Sequence, residues 1–214
     1  MHIPDGFISP QTYIPAIAIS ASLLALAYKK IELDVEKIPL IAGVSAISFV
    51  MMLIAIPFPG GTTMHLSGIA IISLLFGPWI AFSSISLVLL IQALVFGEGG
   101  ITSYPVNIIA MAFVGSFSAY YSHKLLSSFS KNGAMFMAGW ASIFFPSIII
   151  ALVLGIQPLV ASDGTTPLYF PFGLSVTLPS VVVPHIFIAI IEGLVTLSSV
   201  KFLRTQFRSV FSER

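Results

Sequence analysis

Seven apolar stretches follow one another along this chain, and almost no charge interrupts them. They run over residues 10–28, 39–56, 66–76, 80–96, 105–123, 134–154 and 182–203. Most approach the ~20 apolar residues that a bilayer-spanning helix needs. Backbone polar groups in lipid must be satisfied within the segment, so such a chain folds as helices packed on helices. Only 8% of the residues are Asp, Glu, Lys or Arg, against about a quarter in soluble domains. The expected fold is therefore all-α: a polytopic membrane bundle of seven transmembrane helices, forming one domain over residues 1–214. The third and fourth stretches are separated at FGPW, residues 76–79, where glycine followed by proline favours a turn.

The charges fix an expected orientation. Lys29, Lys30 and Lys37 fall between the first two stretches, Lys124 and Lys131 between the fifth and sixth, and Lys201, Arg204, Arg208 and Arg214 at the end. With seven spans all of them lie on one face, which the bias of basic residues assigns to the cytoplasm. The N-terminus is then outside and the C-terminus cytoplasmic, in a cell membrane. The loops 57–65, 97–104 and 155–175 fall outside, and the last is long enough to fold back over the bundle or carry a short helix.

Several function classes drop out. The chain has no cysteine, which removes thiolate ligands and sulfur redox chemistry. Nine basic residues against eight acidic ones leave no basic face for nucleic acid. There is no Walker-type phosphate loop and no HExxH, so no catalytic residue is expected. A partner or an ion gradient must supply the energy for any uphill transport. No basic n-region precedes the first apolar stretch, so no cleaved signal peptide is expected, and the bulky second residue favours retention of Met1.

The opening MHIPDG concentrates nitrogen donors. The α-amine of Met1, the backbone nitrogen of His2 and the His2 imidazole can close two fused chelate rings on one divalent ion. A fourth nitrogen would complete a square plane, a geometry suited to Ni(II) or Cu(II) over tetrahedral Zn(II). Pro4 stiffens the chain behind the chelate, and residues 1–9 form a candidate metal-chelating segment. His65, in TTMHLSG, is the first source for the fourth nitrogen and His185 the second; His123 falls at the cytoplasmic end. Polar groups inside membrane segments are costly and usually face the interior. Ser67, Asn107, His185 and Glu192 are candidate outer contacts to a bound ion or gating groups. Gln92 reads as a packing hydrogen bond, and Glu98 as an ordinary outer-loop residue.

The ordered set MHIPDGF (1–7), GTTMHLSG (61–68), LLFGPW (74–79), LLIQALVFGEGG (89–100), Asn107 and HIFIAIIEGLVT (185–196) resembles the CbiM/NikM family. These are the substrate-binding membrane subunits (S components) of nickel/cobalt energy-coupling-factor transporters, and the resemblance covers essentially the whole chain. It implies a seven-helix S component whose N-terminal segment plugs into the bundle. It also implies Met1, His2 and His65 as the metal ligands, and Ni(II) or Co(II) as transported substrate with no organic cofactor. The implied partners are a transmembrane coupling subunit, two ATP-binding subunits and a small accessory membrane component, in the lipid bilayer. ATP hydrolysis by the partners would topple the S component to release its ion. MHIPDG in place of the MHIMEG of cobalamin-synthesis members points to the nickel branch. SYPVN (103–107) keeps the asparagine but lacks the usual glycine. Two other function classes stand beside this one: a gradient-driven secondary metal carrier, and a non-transport membrane assembly protein.

Overall fold

In the computed structural model, residues 2–58 and 62–208 are described, and they are mostly helical. Helix α1 (Pro10–Lys30) begins with proline in its first turn, where the missing N–H costs nothing, and ends on Lys29 and Lys30. A 3₁₀ turn at Val35–Lys37, capped by Asp34, leads into α2 (Ile38–Leu53). Strands β1 (Ile56–Phe58) and β2 (Thr62–Met64) pair antiparallel, Ile56 opposite Met64.

The expected break between the third and fourth apolar stretches is present. Helix α3 (Ile69–Phe76) stops at Gly77, whose φ of +93° suits only glycine, and α4 (Pro78–Ile91) restarts on Pro78. The apolar stretch 66–76 yields only eight helical residues, about 12 Å of rise, because Leu66–Gly68 stays irregular. Helix α4 runs on into a π-helical turn, Gln92–Phe96. The fifth stretch is unbroken helix from α5 (Tyr104–Asn107), through a π-helical segment Ile108–Val114, to α6 (Gly115–Leu126).

Helix α7 (Lys131–Gly155) is followed by a short α8 (Gln157–Val160) and an antiparallel pair, β3 (Ser162–Asp163) with β4 (Thr166–Pro167). Helix α9 (Leu174–Gln206) closes the described chain. It starts eight residues before the apolar stretch that signals it, and Pro179 and Pro184 lie inside it without ending it. The two small ribbons add strand that the sequence does not announce.

Among the described residues, five helical segments are long and apolar enough to cross a membrane: Pro10–Lys30, Val35–Leu53, Pro78–Phe96, Lys131–Val160 and Leu174–Gln206. The most extensive pairing is α7 against α9. It depends on small residues: a Cβ on Gly139 would stand 2.6 Å from Thr196 Oγ1, and one on Gly193 would stand 2.7 Å from the Phe136 ring. Close approach of this kind is how membrane helices gain packing energy. Helices α1 and α2 are mostly exposed along their lengths, with apolar side chains such as Ile14, Ile17, Ile19, Ile47 and Val50 facing outward.

Candidate functional site

Residues 2–9 are held by side chains far away in sequence. Asn107 grips the Ile3 peptide from both sides: Ile3 N–H donates to its Oδ1 at 3.0 Å, and its Nδ2 donates to the Ile3 carbonyl at 3.1 Å. Asp5 accepts the N–H groups of Ile101 at 2.9 Å and Thr102 at 2.8 Å. Burial alone would raise the Asp5 carboxyl. The Thr102 hydroxyl and the backbone N–H groups outweigh that and hold it below its ordinary value. Ser9 N–H donates to Gln157 Oε1 at 2.9 Å, and Phe170 N–H donates to the Phe7 carbonyl. The 155–175 loop therefore does fold back, onto this segment. His2, Ile3, Ile8 and Ser9 are buried as a result.

This stitching brings His2 against His65. Their rings stack with centroids 4.7 Å apart and planes 25° from parallel. Both side chains are about 97% inaccessible or more. Burial drives the His2 imidazole down to about 3 and holds His65 well below its ordinary value. Both rings are therefore neutral at physiological pH, with lone pairs available.

His65 Nδ1 faces the Leu66 carbonyl at 3.0 Å. A carbonyl only accepts, so Nδ1 carries the hydrogen and Nε2 the lone pair. His65 Nε2 has no hydrogen-bond partner, and neither has either nitrogen of His2. The same holds for His185 Nε2, whose Nδ1 donates to the Val181 carbonyl at 2.7 Å, and for both amide atoms of Gln92. Unpaired buried polar atoms are rare in folded proteins. Here they cluster, since Gln92 lies beside His2 and His185 is near enough to His65 for their charges to interact. Glu98 Oε2 stands 4.0 Å from His2 Nδ1. Among the described residues, no three His, Cys, Asp or Glu side chains converge as a metal cage. An ion held between the two histidines would need backbone nitrogen to complete its shell.

The residues singled out in the sequence separate into groups. His2 and His65 come together, while His185 lies near enough to His65 to act on it electrostatically without joining the stack. Asn107 acts on the backbone beside His2. Ser67 and Glu192 bind each other: the Glu192 carboxylate accepts Ser67 N–H at 3.0 Å, Ser67 Oγ–H at 3.0 Å and Gly68 N–H at 2.7 Å. Met1 lies outside the described residues. Sequence reasoning missed the roles of Asp5, Gln92, Glu98 and Gln157. Only Gln92, a polar group inside an apolar stretch, carried a signal.

The chain is a membrane protein by its helices, and it belongs to the CbiM family, "Cobalt uptake substrate-specific transmembrane region", which it matches over residues 2–210. It is similar to the fused nickel transport protein NikMN of Rhodobacter capsulatus, 39% identical across 95% of this chain and 62% of that protein. The probable fused nickel transport protein LarMN of Lactiplantibacillus plantarum is 30% identical, over 95% of this chain and 64% of its own length. The chain thus spans less than two thirds of these relatives. The cobalt transport protein CbiM of Thermosipho melanesiensis is 30% identical, over 92% and 83% of the two chains. A crystal structure of a truncated transition metal transporter superposes with a TM-score of 0.92 at 37% identity, covering 96% of this chain and 99% of that one.

Proposed function

We propose that this chain captures divalent nickel or cobalt on the outer side of a cell membrane, as the substrate-binding subunit of an ATP-driven energy-coupling-factor importer. The observation that carries the reading is the stacked, buried, neutral His2–His65 pair, with nitrogen atoms that no protein group satisfies. In this reading the ion exchanges water for four nitrogens: the Met1 amine, the His2 amide nitrogen, His2 Nδ1 and His65 Nε2. Residues 1–9 are the chelating segment, set into the outer end of the bundle. The relatives named as nickel or cobalt transport proteins support the choice of substrate.

In this reading the short α3 and the run Tyr104–Leu126 act with the five long segments as a seven-helix bundle, and the bias of basic residues argues for an N-terminus outside and a C-terminus in the cytoplasm. Two ATP-binding subunits, a transmembrane coupling subunit and a small accessory membrane component are the partners. The chain itself is not an enzyme. Binding releases protons from the amine and the amide, so affinity falls steeply in acid.

The test compares Ni(II) and Co(II) titration of the purified chain beginning at Met1 with a form carrying one extra residue before it. Loss of binding on extension supports the terminal chelate. Equal binding by both forms, or affinity that is flat from mildly acidic to neutral pH, removes it. Transport in vesicles lacking the ATP-binding partners would instead favour a gradient-driven carrier.

A further inference from the structure

Gln92 is fully buried, and both atoms of its side-chain amide lack a hydrogen-bond partner. It opens the π-helical turn at the end of α4, an irregularity that often marks functional sites. Its backbone carbonyl accepts the N–H of Gly97 and, at 3.1 Å, that of Glu98. The residue is therefore pinned by its main chain to the 97–103 loop, while its amide stands close enough to the His2 ring to act on it as a hydrogen-bonding neighbour, though without reaching hydrogen-bond geometry. Nothing in packing accounts for an unsatisfied amide at that position.

We propose that Gln92 is the positioning residue for His2: in the metal-loaded protein its Oε1 accepts the Nε2–H of His2, fixing Nδ1 as the nitrogen that meets the ion. This rests on the terminal chelate proposed above, and its logic is that of ring size. A metal held by the His2 amide nitrogen closes a six-membered ring through Nδ1, never through Nε2. The neutral ring must then carry its hydrogen on Nε2, which needs an acceptor at this buried position.

The other nearby acceptors are committed. Asn107 Oδ1 takes the Ile3 N–H, the Leu66 carbonyl faces His65, and Glu98 stands on the Nδ1 side. Gln92 Oε1 is free. Metal-ligating histidines characteristically donate their second nitrogen to such a group, which fixes the tautomer and raises ligand basicity. The amide that is unsatisfied without metal becomes satisfied with it, so part of the binding energy is relief of a polar group already buried.

The experiment uses the full chain beginning at Met1, Ni(II) alone as probe, and three variants: Gln92→Met, Gln92→Glu and His2→Ala. Thermal melting without metal checks that each is folded. Gln92→Met, which keeps the volume and loses the acceptor, should weaken Ni(II) binding by roughly 10–100-fold and shift the visible absorption band of bound nickel. Gln92→Glu, which keeps an acceptor oxygen, should restore the wild-type band.

If Gln92→Met binds with wild-type affinity and band while His2→Ala does not bind, the role of Gln92 is overturned and the chelate stands. If His2→Ala binds like the wild type, the chelate itself falls. Should Gln92→Met fail to fold, ¹⁵N-imidazole NMR of wild-type protein loaded with square-planar, diamagnetic Ni(II) decides. A slowly exchanging, hydrogen-bonded His2 Nε2–H supports the proposal, and its absence overturns it.

Discussion

Two polar clusters lie buried in this bundle, and they are finished to different degrees. Around Glu192 the carboxylate is fully engaged, with three hydrogen bonds converging on it from Ser67 and Gly68, and what is left unpartnered nearby is hydroxyl only, on Ser48 beside Gly68 and on Thr196. Gly68, at φ +67°, leads into α3, whose first N–H (Ile69) donates to Ser67 Oγ at 3.3 Å, so Glu192 of α9 anchors the Ser67–Gly68 turn that caps α3. Around His2, by contrast, five buried nitrogen and oxygen atoms on His2, His65 and Gln92 have no partner. Both clusters exclude water, and a buried polar group without a partner is expensive. The closed cluster reads as architecture, whereas the open one reads as a site that something else must complete. Only Leu66 and Ser67 separate His65 from Gly68, so the closed cluster anchors one wall of the open one.

The sharpest way to break that contrast is to remove a donor from the open cluster. His65→Ala should abolish detectable Ni(II) and Co(II) binding in calorimetric titration while the metal-free protein still unfolds cooperatively at a lowered melting temperature, because the variant also loses a buried ring stacked on His2. A variant that still bound tightly would show that the unpartnered nitrogens are not ligands.

Glu192 should behave in the opposite sense. Glu192→Ala strands three buried donors, and hydrogen bonds to a charged group are each worth about 1.5–3 kcal/mol. With partial relaxation the expected loss of stability is on the order of 3 kcal/mol, read by chemical or thermal unfolding in detergent. Glu192→Gln keeps one acceptor oxygen and should fall between the two. If Glu192→Ala melted like the wild type, the carboxylate would not be the anchor of the turn before α3.

The 97–103 loop joins the open cluster to the protein surface, and here sterics predict the effect. A Cβ at Gly100 would collide with the Asp5 carboxylate and backbone nitrogen. Overpacking of this sort costs typically about 1–3 kcal/mol. Gly100→Ala should push residues 2–5 outward and weaken metal binding by roughly 10–100-fold, while the bundle melts normally. The same weakening should appear in faster hydrogen exchange at Ile3 N–H. Unchanged exchange would separate the loop from the N-terminal segment.

How far the sequence discloses these clusters depends on the range of the forces involved. The Gly77–Pro78 break is local chemistry: glycine alone takes φ +93°, and proline fits the first turn of a helix. The start of α9 is hidden, because Pro179 and Pro184 look like helix ends. In an apolar helix, neighbouring groups can satisfy what the prolines leave open. Glu192 announces itself as a polar residue in an apolar run, but its partners lie 124–125 residues away, and no spacing rule reaches that far. The pairing of His2 with His65 is foreseeable from the orientation that the bias of basic residues implies. Gln92 is not, since the π-helical turn that places it has no residue signature. Asp5 was legible only as a turn residue, and its hydrogen bonds to Ile101 and Thr102 belong to tertiary structure.

Asp5 supplies the smallest effect and the finest comparison, because it is a charged clasp of the open cluster that reaches solvent. Burial works to raise its carboxyl. The Thr102 hydroxyl and the N–H groups of residues 101–103 prevail and hold it below the ordinary 3.8. A carboxyl depressed in the folded state stabilises fully above the unfolded value and loses that contribution as pH falls through the folded one. The N-terminal segment should therefore loosen only below about pH 3.8. Asp5→Asn should flatten that acid limb and cost about 1 kcal/mol or less at neutral pH, as exposed hydrogen bonds do. The measurement is hydrogen exchange at Ile101 and Thr102 against pH in both proteins. Parallel acid limbs would place the loosening on another group, and an acid limb present only in the wild type would assign it to Asp5.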